Sequence, residues 1–172
     1  LVCFYYGAFK AGAVPVPLYP PVRLGRLEEY HRSTACMLEV SGAAVVLTDS
    51  KVRLLLGTPV AAARPRLGCL TVEDVSREGG DLARSVTPQS LGLIQFSSGS
   101  TVDPKPVALR HDNLMAQLAA LEAEIPPPLE GEPVGVSWLP LYHDMGLIGC
   151  LLSALYYPGS MVLIPPEVFL AR

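Results

Sequence analysis

An α/β architecture, with helices flanking short β-sheets, is predicted for this 172-residue chain by three features. Short runs rich in Val, Leu and Ile alternate with stretches of helical periodicity. Half of the residues are hydrophobic and only 17% are charged, so a packed core is expected and disorder is not. The length suits one ordinary domain and is too small for two large ones.

The opening LVCFYYGAFKAG reads as the tail of a buried helix ending near Gly12. Pro15, Pro17, Pro20 and Pro21 then force an extended path from Ala13 to Val22. Leu24, Leu27, Tyr30, Thr34 and Leu38 recur at helical spacing, with Gly42 as the stop. AAVVLT, Ala43 to Thr48, is short and Val-rich, the pattern of a buried strand. A short helix near Val52 to Leu56 and a strand at Leu67 to Val72 are weaker signals. LGLIQF from Leu91 reads as a strand, and Val107 to Leu109 as another. Asp112 suits the cap of a helix that sets Leu114, Leu118, Leu121 and Ile125 on one face. Pro126 to Pro128 end it, and Val134 to Leu139 is a further short strand closed by Pro140.

Between Asp144 and Glu167 lie 22 positions without a charge, and the mean hydropathy of the whole chain is +0.36. That span is long enough for a membrane helix. Pro158 and Gly159 interrupt it, and a Pro in a helix interior costs about 3 kcal/mol. The segment divides better into a helix over Met145 to Tyr156, a turn, and a strand over Met161 to Ile164, so no transmembrane span is predicted. Both ends run straight into apolar sequence, so the chain is expected to be cut from within a larger fold. No basic region precedes the first apolar run, so no secretory signal is expected.

Net charge is −3, which leaves no basic footprint for nucleic acid. Cys3, Cys36 and Cys69 are evenly spaced, but their flanks share nothing, so no repeat is inferred. Without a CxxC or clustered His, buried reduced thiols are expected and a metal site is not.

Two stretches carry chemistry. SSGSTVDPKP, Ser97 to Pro106, sets four hydroxyls, a Gly and a Lys directly after an apolar strand. Hydroxyls and backbone N–H groups suit phosphate oxygens, Gly admits close approach, and Lys adds a point charge. A surface Ser/Thr turn is the plainer alternative. The stretch is not a Walker A loop, because Pro104 and Pro106 stand where that pattern needs Gly and a hydroxyl. WLPLYHDMGLIG, Trp138 to Gly149, places Tyr142, His143 and Asp144 on a turn between a strand and an apolar helix. Open α/β sheets bind ligands at that position. The plainer alternative is helix capping by His143 and Asp144. No GxSxG elbow accompanies the pair, so a hydrolase triad has no support.

Together these stretches resemble the adenylate-forming (ANL) superfamily of AMP-binding enzymes. Its phosphate loop reads Thr/Ser-Ser-Gly-Ser-Thr-Gly-x-Pro-Lys-Gly, matched here at Ser97, Ser98, Gly99, Ser100, Thr101, Pro104 and Lys105. VALRHDNL resembles the segment that follows that loop. WLPLYHDMGLIG and the early AGAVPVPLYPP resemble the fatty acyl-AMP ligase branch. The resemblance implies that residues 1–172 are a fragment of the N-terminal AMP-binding (adenylation) domain, without the C-terminal domain and the downstream nucleotide motifs. It implies a cytoplasmic enzyme that uses ATP and Mg2+ to turn a fatty acid into acyl-AMP. The acyl group then passes to the phosphopantetheine thiol of an acyl carrier protein or polyketide synthase. Ser97, Ser98, Gly99, Ser100, Thr101 and Lys105 would hold the β- and γ-phosphates. His143 and Lys105 would be catalytic, with Tyr142, His143, Asp144 and Gly146 at the substrate. Alternatives are an acyl-coenzyme A synthetase and an impaired, binding-only module. Impairment is suggested by two departures from the pattern: Val102 and Pro106 replace glycines, and Pro106 removes a backbone donor.

Overall fold

The computed structural model describes residues 1–21, 24–75, 85–97, 104–124, 131–157 and 159–171. The chain forms two compact units, one of residues 1–86 with 92–108, the other of residues 87–91 with 109–172.

In the first unit, α1 (Val2–Lys10) and α2 (Leu27–Val40) stop in the same way. Gly12 and Gly42 take φ of +65° and +61°, and the next residue's N–H turns back onto the helix: Ala13 to the Ala8 carbonyl, Ala43 to that of Leu38. Glycine reaches that left-handed conformation without a Cβ penalty. The helical reading of both segments and their stops therefore holds. A single 3-10 turn, Leu24–Arg26, precedes α2. The Pro-rich stretch between the helices is irregular, and its Pro15 carbonyl accepts the Ile94 N–H.

One face of α2 buries Tyr30, Thr34, Met37 and Leu38, the spacing expected of a core-facing helix. It packs on α4 (Gly57–Ala63), and His31 Nε2 donates to the Leu55 carbonyl at 2.8 Å just before α4. Helix α4 is an addition to the sequence reading. Gly57 and Pro59 look like breakers, but both fall in the first turn, where Pro costs no intrahelical hydrogen bond. The helix predicted at Val52 to Leu56 begins earlier, as α3 (Ser50–Arg53), because the Asp49 carboxylate caps the Lys51 and Val52 amides.

Strand β1 (Val46–Thr48) pairs in parallel with β2 (Cys69–Thr71). The expectation of a buried β1 is corrected. Among the described residues it has one paired neighbour, and Leu47 is left exposed, as in an edge strand. Asp74 binds this corner: one carboxylate oxygen accepts from Thr71 N–H, Thr71 Oγ1 and Arg53 Nη1. The expectation of buried thiols is also corrected. Cys3 is exposed, and Cys36, Cys69 and Cys150 are half-buried.

Strand β3 (Leu91–Ser97) buries Gly92, Leu93 and Gln95 and pairs with β4 (Lys105–Arg110). In the second unit, α5 (His111–Glu124) buries Leu114 and Leu118, as predicted, while Ile125 lies outside the described residues. Asp112 does not cap α5 from outside. It sits within the first turn, where its carboxylate accepts Arg110 Nε–H at 2.9 Å.

Strand β5 (Val134–Ser137) pairs in parallel with β6 (Ser160–Leu163), in the register Val134 to Ser160 through Ser137 to Leu163. A helix connects them, making a βαβ unit. The predicted helix over Met145 to Tyr156 is present, but Met145–Leu152 has π-type hydrogen bonding and only Ser153–Tyr156 is α-helical (α6). The Ser153 hydroxyl donates five residues back, to the Ile148 carbonyl, at the end of the wide stretch. Leu147, Leu151 and Leu152 are buried, and this segment packs on α5. A last short helix, α7 (Pro166–Leu170), brings Phe169 flat against Trp138, with ring centroids 4.3 Å apart. No helix among the described residues is long and apolar enough to cross a membrane.

Candidate functional site

The predicted site residues fall on two structural features, one in each unit. The first is the end of β3 and the start of β4. Ser97 closes β3 and Lys105 opens β4, both exposed. The Ser97 hydroxyl donates to the Lys105 carbonyl at 3.5 Å, so the two strand ends lie together. No ion pair among the described residues engages the Lys105 ammonium. Ser98, Gly99, Ser100 and Thr101 lie outside the described residues, as does Val102.

Pro106 is described, and its place is informative. Proline restricts the residue before it to extended backbone. Lys105 is already in that conformation as the first residue of β4, which among the described residues pairs only with β3. The sheet therefore absorbs Pro106 as edge strands do.

Anions suit this pair of residues. A hydroxyl residue and a lysine close and open adjacent strands, both exposed to solvent, and no carboxylate among the described residues pairs with the ammonium. That donor chemistry fits phosphate oxygens.

The second feature is the turn from β5 into the π-helical stretch. It brings Tyr142, His143, Asp144 and Gly146 together within one loop and helix start. His143 is exposed, and its ring lies 5.0 Å from that of half-buried Tyr142, tilted by 50°. The His143 N–H donates to the Pro140 carbonyl at 3.1 Å, and its own carbonyl accepts from Leu147 N–H at 2.8 Å. The backbone of His143 is thus fixed, while its imidazole projects outward with no hydrogen bond to a described residue. Asp144 behaves as the plainer alternative expects: its carboxylate accepts the Met145 N–H at 2.8 Å, at the positive end of the helix. Gly146 is buried against the Leu139–Pro140 backbone and offers no side chain to a substrate.

Two contributors escaped the sequence reading. Pro140 was read as the end of a strand, yet its carbonyl anchors His143. Phe169 stacks on Trp138, which stands shortly before the same turn in sequence. Neither has a motif signal, since each acts through a contact made only in three dimensions. A groove of about 530 Å³ between α2 and α4 is lined by His31, Cys36 and Pro59 among others and contains no predicted site residue.

Burial pushes the Tyr5 and Tyr30 hydroxyls above their usual range, so both stay neutral. The Cys69 thiol is raised chiefly by burial, with Arg53 opposing, so it is a poor nucleophile. No group of three His, Cys, Asp or Glu among the described residues forms a metal cluster.

Comparison with known proteins gives a consistent result. The model of a family described as "AMP-binding enzyme" matches residues 1–172. A Caulobacter vibrioides protein that bears an acyl-CoA synthetase name is 33% identical over 98% of this chain and 29% of its own length. The long-chain-fatty-acid–AMP ligase FadD32 of Mycobacterium marinum is 32% identical over 98% of this chain and 26% of its own. Among solved structures, one from work on fatty acyl-adenylate ligases of E. coli and L. pneumophila superimposes with a TM-score of 0.85 at 28% identity, over 98% of this chain and 30% of that one. A fatty acyl-adenylate ligase from L. pneumophila, solved with acyl adenylate and pyrophosphate, gives 0.76 at 26% identity, over 100% and 29%. The chain thus spans about three tenths of the length of the curated relatives it matches.

Proposed function

We propose, because the chain belongs to the AMP-binding enzyme family, that it is part of an N-terminal adenylation domain and takes part in activating a fatty acid as acyl-AMP. The observation that carries this reading is the anion-suited pair Ser97 and Lys105 at the base of the SSGSTVDPKP loop.

Ser97 and Lys105, with Ser98, Gly99, Ser100 and Thr101 of the loop, would hold the β- and γ-phosphates of ATP. ATP supplies an electrophilic α-phosphorus to the fatty acid carboxylate, and pyrophosphate leaves. Mg2+ would enter on the phosphate oxygens, a mode of binding that takes few protein ligands. The chemical difficulty is that an anionic nucleophile must approach an anionic phosphate. Cationic and N–H donors offset that repulsion, more so in the transition state, where charge shifts onto the leaving oxygens. His143, exposed and held through its backbone, would donate to an oxygen of the carboxylate or of the adenylate, with Tyr142 beside it.

The test is ATP–pyrophosphate exchange by the full-length protein containing this chain. Exchange that depends on a long-chain fatty acid and falls in a His143→Ala variant supports the reading. Exchange that is absent with every fatty acid offered contradicts it. The acceptor is proposed to be a carrier-protein phosphopantetheine, in a cytoplasmic setting. The acyl-CoA synthetase name of the Caulobacter relative favours free coenzyme A as the second reading. Presenting both thiols to the enzyme and quantifying the thioesters separates them.

An impaired loop is the other reading, carried by Val102 and Pro106. The seat of Pro106 in β4 leaves Val102 as its main support. Restoring Gly at both positions decides: a gain in exchange favours impairment, and no gain favours the active enzyme.

A further inference from the structure

We propose that Gly146 is a positioning residue for His143, acting through the carbonyl of Pro140; the inference rests on the adenylation reading above. Its basis is a shared oxygen. The Pro140 carbonyl accepts the His143 N–H at 3.1 Å. A Cβ added at Gly146 would press first on that same oxygen, and would lie 2.9 Å from the Pro140 carbonyl carbon and 3.0 Å from the Leu139 oxygen. All three are backbone atoms, so no side-chain rotation relieves the overlap.

Neither side can yield cheaply. Gly146 is buried, and the next residue, Leu147, is 0% exposed and fixed in the core of its unit. Leu147 N–H also holds the His143 carbonyl at 2.8 Å. His143 is therefore held on one side by the strap from Leu139 to Pro140 and on the other by the buried helix start. A methyl at 146 drives these two supports apart, and His143 moves with them. The imidazole has no hydrogen bond to a described residue that would keep it in place. The φ of Gly146 is not in the left-handed region, so the requirement for glycine is steric and not conformational.

Gly149, three residues on in the same π-helical stretch, is the natural contrast. A Cβ there meets only Met145 Cγ, at an ordinary 3.8 Å. Gly146→Ala and Gly149→Ala make the same chemical change in the same element, and only the first touches the strap.

The experiment uses the full-length protein with each single variant and two readouts. One is ATP–pyrophosphate exchange resolved into kcat and the KM for ATP. The other is the rate at which diethyl pyrocarbonate modifies His143, followed by peptide mass spectrometry with His31 as internal reference. Gly146→Ala is expected to lower kcat by about tenfold or more, the scale on which small misplacements act, with the KM for ATP unchanged and the His143 modification rate altered relative to His31. Gly149→Ala is expected to match the wild type in both. A wild-type kcat and His143 rate in Gly146→Ala, or equal losses in the two variants, overturns the proposal. If the wild-type protein shows no exchange, the adenylation reading fails alone, and the modification ratio still decides whether Gly146 positions His143. Should Gly146→Ala fail to fold, adding Pro140→Gly, which lets the strap yield while keeping its carbonyl, is expected to restore folding with the His143 rate still altered; failure to restore it overturns the proposal.

Discussion

Single side chains show how little of the chemistry lies in residue type alone. Asp144 and Asp74 are both exposed carboxylates with backbone partners, yet they do different things. Asp144 caps the start of one helix. Asp74 gathers three donors at the β1–β2 corner, and its carboxyl is held below the usual carboxylate range, chiefly by the Thr71 N–H, then by the Thr71 hydroxyl and Arg53. A carboxyl whose folded pKa is depressed stabilises the fold above its unfolded pKa, and that contribution is lost as pH falls through the folded value. Asp74→Asn is therefore expected to lower stability at pH 7, with the difference from wild type shrinking below about pH 4. Denaturant titrations of both proteins at pH 7 and pH 3 check this. A gap as large at pH 3 as at pH 7 would contradict it.

Elements differ in how much of their character is visible from composition. Helices α2 and α5 are long enough for several turns of periodic Leu and Tyr to show, and α2 has in Gly42 a stop with a local physical cause. The shorter α4 spans only Gly57–Ala63, too few residues for periodicity, and its Gly and Pro mimic a loop. Hydropathy marks the helix from Met145 but carries no information on whether carbonyls bond four or five residues ahead, so its π character was not legible. Nor was the exposure of β1, because Val and Leu suit an edge strand as well as a central one. The order of the site motifs could be read in full, whereas the Pro140 anchor and the Trp138–Phe169 stack could not, since they depend on contacts between separated residues.

Packing predictions belong to these same elements. Leu147 is fully buried in the helix start that supports His143, while its neighbour Met145 is 66% exposed. Leu147→Ala is expected to cost about 2–5 kcal/mol of folding stability through cavity formation, and Met145→Ala less than about 0.5 kcal/mol. Chemical denaturation of the two variants measures both. Similar costs would show that the two side chains are not distinguished by burial as described.

Taken as one chain, these 172 residues match the AMP-binding family from end to end while spanning about three tenths of their relatives. They also expose large apolar side chains, among them Leu54, Val134, Met145 and Leu170. On the reading proposed here, the isolated 172 residues form no acyl-adenylate, because the catalytic surface is shared with the rest of a longer chain. Incubation with ATP, Mg2+ and a fatty acid, followed by mass spectrometry for acyl-AMP, checks that outcome, and any acyl-AMP made in excess of a no-protein control contradicts it. The central claim is that the β3–β4 loop grips the phosphates of a nucleotide through Lys105. Calorimetric titration of ATP into the full-length protein and its Lys105→Ala variant tests it most directly. A hydrogen bond to a charged group is worth about 1.5–3 kcal/mol, so the account predicts Kd weakened by about ten- to a hundredfold in the variant. Equal affinity in the two proteins would contradict it.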